Sequence, residues 1–115
     1  MVRLPGRIPY QIAMELALTG DLLTAERAHH FGLVNRLTEE GGALEGALEL
    51  AATIAANGPL AVAATKQIAR STADWTLDEA WGKQFDIAEP VFRSEDAREG
   101  AAAFAEKRAP AWKGR

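Results

Sequence analysis

The most regular spacing of apolar side chains in this sequence runs through Leu44, Ala47, Leu48, Ala51, Ile54 and Ala55. Recurrence at i, i+3, i+4 and i+7 predicts one amphipathic helix. Asn57-Gly58-Pro59 ends it and starts another, whose stripe is Ala61, Ala64, Thr65 and Ile68, with proline in the first turn where its missing N–H costs nothing. Thr76-Leu77-Asp78-Glu79 has the form of a capping box, and Leu77, Ala80, Trp81, Gln84, Phe85, Ala88, Val91 and Phe92 then follow one face. Pro90 lies inside that pattern and is expected to kink the helix by removing a hydrogen bond. Ser94 caps a last helix ending near Lys107. Upstream, Ile12, Ala13, Leu16 and Ala17 recur at helical spacing between Pro9 and Gly20, and Thr24 caps a short helix through Ala25, Ala28 and Phe31 that Gly32 stops. Glu39-Glu40-Gly41-Gly42 reads as a turn. Leu33 to Leu37 is too short for a helix and is read as one short strand or extended segment. The pattern predicts a mainly α chain of about six helices with one short strand, a single helical segment over 1–115 with no linker or repeat.

Composition narrows the classes. Of 115 residues, 48% are hydrophobic and 25% charged, ordinary proportions for a soluble globular chain. The net charge of −3 comes from interspersed acids and bases, so no basic stripe points to nucleic acid. No apolar run reaches the roughly 20 residues of a membrane span, and no signal-peptide pattern follows Met1. The absence of cysteine excludes disulfides and thiol chemistry and fits a cytoplasmic protein.

Candidate chemical groups are few. Glu39 and Glu40 stand beside two glycines in a turn and read as solvated. Glu15 lies within an amphipathic helix and suits an ion pair. Glu95 and Asp96 complement a helix dipole from its first turn. His29 and His30 are adjacent, so on a helix they point in different directions and do not share a metal ion. Gly41-Gly42 lacks the strand, helix and Lys-Ser/Thr context of a phosphate loop. The residues offer no catalytic set and no metal site.

The ordered segments carry a resemblance. Ser94-Glu95-Asp96, Glu99-Gly100, Ala103-Phe104, Glu106-Lys107-Arg108, Pro110, Trp112 and Gly114-Arg115 resemble the closing SED-x-x-EG-x-x-AF-x-EKR-x-P-x-W/F-x-GR pattern of the enoyl-CoA hydratase/isomerase (crotonase) family. Arg3-Leu4-Pro5, Glu15-Leu16 with Leu18-Thr19-Gly20, Gly32-Leu33-Val34-Asn35, and Thr65-Lys66 match further family segments in order.

The resemblance implies the C-terminal portion of such a protein, with the spiral catalytic core absent. Family enzymes hold the thioester oxygen of an acyl-CoA with two backbone N–H groups, and hydratases use paired glutamates for water and protons. Those groups lie upstream of the matching segments, so the chain alone is expected to be inactive. No cofactor is implied, since CoA arrives as part of the substrate. Lys107 aligns with a basic residue that can meet the adenine-ribose-phosphate end of CoA. The family's adenine-stacking aromatic falls near Ala88, which puts stacking in doubt and leaves Phe85 and Phe92 to core packing. Trp112 is expected to anchor the tail against the helical body, and Trp75 and Trp81 to pack between helices. Expected partners are acyl-CoA in the full-length assembly and either further copies, as a trimer or hexamer, or a missing N-terminal half, with neither nucleic acid nor membrane. The alternative is a stand-alone, non-catalytic helical module that oligomerises or docks.

Overall fold

A computed structural model describes residues 2–115. Six α-helices follow in order: α1 Tyr10–Thr19, α2 Ala25–His30, α3 Ala43–Ala55, α4 Pro59–Ser71, α5 Leu77–Phe92 and α6 Glu95–Glu106. Short 3-10 turns at Leu4–Gly6 and Thr72–Asp74 complete the regular structure. The chain forms two compact units, one ending at Glu49 and the other beginning at Leu50, so the division falls within α3.

Local chemistry sets most helix ends. The Thr24 hydroxyl accepts the Arg27 N–H at 3.2 Å, and the Ser94 hydroxyl accepts that of Ala97 at 3.0 Å. Thr76 and Glu79 exchange both bonds of the capping box, so two orphan donors of the first turn of α5 are satisfied. The side-chain amide of Asn57 donates to the Thr53 and Ile54 carbonyls, covering acceptors that the end of α3 leaves open. Pro90 falls in the last turn of α5, and the helix continues through it to Phe92.

In the first unit α1 packs on the 3-10 turn at Leu4–Gly6, and its small core holds Ile8, Ala13 and Ala28. Gly46 of α3 faces the turn before it: a β-carbon there would lie 2.7 Å from the Thr38 methyl, closer than any side chain tolerates. In the second unit α4 packs on α5, and α5 meets α6. Ala103 is the one buried apolar side chain described there.

Two expectations from the sequence are corrected. Leu33 to Leu37 is not a strand; no strand occurs among the described residues. A strand is defined by its ladder; residues 33–35 bend instead, and no ladder forms among the described residues. Nor does Trp81 pack between helices: it is 72% exposed, on an open face with Leu77, Phe85 and Phe92. The α3 stripe is open as well, at Leu44, Leu48 and Ile54. Periodicity identified these faces correctly as apolar but says nothing of what covers them. The surface area is 9189 Å², whereas two separate compact domains sharing the same mass would expose about 7,400 Å².

Candidate functional site

The second unit closes with a hairpin of helix and tail. From Lys107 onward the chain turns back along α6 and is fastened to it repeatedly. The Arg108 guanidinium donates to both carboxylate oxygens of Glu99, at 2.6 and 3.1 Å, and its Nε to Glu106 at 2.6 Å. Glu99 also accepts the Ala111 N–H at 2.7 Å. The Trp112 indole donates to the Ala56 carbonyl at 2.8 Å. Asp96, only 4% exposed, accepts the Lys113 and Gly114 N–H groups at 2.7 and 2.9 Å, and its own N–H donates to the Arg115 carbonyl at 3.1 Å.

These contacts set the electrostatics. Hydrogen bonds from Arg108, and then from the Ala111 backbone, hold the Glu99 carboxyl at about 2, far below the ordinary 4.5. Glu99 and Glu106 in turn raise the Arg108 guanidinium further above its ordinary value. Glu95 is lowered chiefly by its hydrogen bond from Lys113, with Arg115 adding to the effect.

Lys107 sits at the apex of the hairpin. Its N–H donates to the Phe104 carbonyl and that of Arg108 to the Ala103 carbonyl. This is a Schellman ending, in which the left-handed residue is usually glycine. Lys107 adopts φ 54° and ψ 39°, and it is the one non-glycine residue with positive φ among those described. The end of α2 is built the same way, with Gly32 N–H to His29, Leu33 N–H to Ala28 and φ 74° at the glycine. Lys107 is exposed. Of the bases from 107 to 115, Arg108, Lys113 and Arg115 all face carboxylates, whereas no ion pair reaches Lys107 among the described residues.

The remaining polar candidates are dispersed. Glu15 accepts from Arg27 at 2.8 Å, and Arg27 lies over the Phe31 ring, 5.6 Å from its centre. Glu39 and Glu40 are exposed, in a turn closed by the Gly42 N–H on the Glu39 carbonyl. His29 and His30 are both exposed, and the His30 and Phe31 rings form a T-shaped pair with centroids 5.0 Å apart. No group of three His, Asp or Glu side chains is placed to hold a metal among the described residues. A hollow of 760 Å³ in the first unit is lined by Arg3, Arg7 and Asn35 but by no carboxylate or histidine. Ala88 is half-buried, and Phe85 and Phe92 are exposed at 61% and 73%, so neither ring packs into a core as expected. The sequence reading also missed the largest local role in the tail. It assigned Asp96 to a helix dipole, and Glu99 only to a motif. Gly100, one turn beyond Asp96, was the available signal: a β-carbon there would lie 3.1 Å from the Trp112 ring.

Comparison with known proteins places this geometry. The family model described as enoyl-CoA hydratase/isomerase matches residues 1–115. An enoyl-CoA hydratase of Mycobacterium tuberculosis is 47% identical over 114 residues, covering 99% of this chain and 43% of the relative. A carnitinyl-CoA dehydratase of Salmonella typhi is 41% identical, covering 100% of the chain and 46% of the relative. The crystal structure of an enoyl-CoA hydratase from M. tuberculosis superposes with a TM-score of 0.97 at 60% identity, over 99% of this chain and 45% of that one. The chain thus spans about half the length of the relatives it matches. It belongs to the enoyl-CoA hydratase/isomerase family, and its helices correspond to the C-terminal helical part of the crotonase fold.

Proposed function

We propose that this chain is the C-terminal part of an enzyme that hydrates or isomerises an enoyl-CoA, and that the catalytic groups lie outside these 115 residues. The observation that carries this reading is the pairing of a family match over residues 1–115 with 43–46% coverage of the relatives. The named relatives act on CoA thioesters, which supports an acyl-CoA substrate here. Lys107 is the contact for the phosphate-bearing end of CoA: it is exposed, cationic and free of carboxylates, and a flexible ammonium is a good point-charge partner for phosphate. The open faces of α3 and α5 are surfaces for the remainder of the fold or for further copies. Soluble monomers seldom leave such large apolar patches wet.

The test is an activity assay of the purified 115-residue chain with a short enoyl-CoA. No hydration above buffer is expected. Turnover that follows the protein through purification would overturn the reading and direct attention to Glu15, His29 and Glu39.

A further inference from the structure

We infer that Lys107 is held in its left-handed backbone so as to aim a cation, and that Asp96 and Glu99, by fastening the tail, are its positioning residues. The inference rests on the reading above that Lys107 meets the phosphates of CoA.

The same Schellman ending closes α2 with Gly32 and α6 with Lys107. Glycine adopts the left-handed region freely, while a residue with a β-carbon meets its own carbonyl there. Such strain persists only where the surroundings enforce it, and it collects at functional sites. Here the enforcing contacts are visible on both sides. Before Lys107 lies the last turn of α6. After it, Arg108 and Ala111 are bound to Glu99, and Lys113 and Gly114 to Asp96. Both acceptors belong to α6, so the helix grips its own tail and Lys107 is the fixed apex between them. Attraction between a lysine and the helix dipole would place a cation near this end, but it requires no left-handed backbone. Nor would it leave Lys107 unpaired while the bases after it all face carboxylates.

Binding of CoA at low ionic strength, measured by calorimetry on the full-length protein that carries this segment, separates the claims. Lys107→Ala should weaken binding roughly 2–5-fold, the size of one exposed charge contact. Lys107→Gly should weaken it equally yet melt several degrees higher, because strain is relieved as the cation is lost. Asp96→Asn frees no cation, and it should weaken binding to a similar extent while Lys107 is still present. The double variant Asp96→Asn/Lys107→Ala should bind no worse than Lys107→Ala, since a positioning residue acts only through what it positions. Should Asp96→Asn fail to fold, Glu99→Gln carries the same comparison; loss of its negative charge would by itself strengthen anion binding, so weakening remains diagnostic. No CoA binding lost in Lys107→Ala of the full-length protein overturns the Lys107 reading and this inference with it. Weakening by Lys107→Ala alone, additive effects in the double variant, or no rise in melting for Lys107→Gly, overturns the positioning claim and leaves the CoA contact standing.

Discussion

The Trp112 indole N–H reaches the Ala56 carbonyl over 2.8 Å, joining positions 56 residues apart in the sequence. The bond uses an acceptor just past the end of α3, where the helix leaves carbonyls without intrahelical donors. Trp112 covers two glycines: a β-carbon at buried Gly58 would lie 3.6 Å from the ring, and one at Gly100 only 3.1 Å away. The tail is therefore docked by shape as well as by hydrogen bonds.

Gly100→Ala tests that fit. Alanine favours a helix interior over glycine by about 1 kcal/mol, so on propensity alone the variant gains stability. The ring cannot retreat without stretching its bond to Ala56, and overpacking costs about 1–3 kcal/mol. A net loss of about 1 kcal/mol is expected in urea denaturation, accompanied by a change in tryptophan fluorescence. Increased stability would show that the tail yields easily.

Asp96→Ala should cost about 2–3 kcal/mol, because two N–H groups lose a charged acceptor and the first turn of α6 loses a carboxylate. Hydrogen exchange at the Lys113 and Gly114 amides should accelerate in this variant, with the middle of α5 unchanged. Unaltered exchange at both amides would mean that the carboxylate does not hold the tail.

Acid should release the same tail. The Glu99 carboxyl is held at about 2, below its ordinary 4.5. A carboxylate lowered on folding stabilises the native state above its unfolded value and ceases to do so as pH falls through the folded one. Melting temperature should therefore decline between pH 4.5 and about pH 2, and Glu99→Gln should flatten that decline. A wild-type profile identical to that of the variant would contradict the assignment.

Association should follow from the open faces. Leu77, Trp81, Phe85 and Phe92 are 61–80% exposed on α5, and full burial of such a side chain is worth about 1.5–3 kcal/mol. Sedimentation velocity should find species heavier than 12.4 kDa at micromolar concentration, and Trp81→Lys with Phe85→Lys should shift them toward the monomer. A concentration-independent monomer melting above about 65 °C would instead favour a self-sufficient helical module.

The helices and most of their ends were legible in the sequence because their causes are local. Thr24, Thr76 and Ser94 cap residues three positions away, and Gly20 and Gly32 stop α1 and α2 by tolerating positive φ. The family resemblance was legible for a related reason, since its segments are short and ordered. Tertiary structure decided what depends on distant partners. Leu33 to Leu37 had strand-like residues, but pairing requires a second segment that composition cannot supply. Trp81 and Phe85 marked an apolar face, but only the packing left it uncovered. Asp96 looked like a dipole residue until the fold brought positions 113 and 114 to its carboxylate. Lysine has no preference for the left-handed region, so nothing in the sequence announced the conformation of Lys107. Anchors on both sides of it, up to 18 residues apart in the chain, impose that geometry.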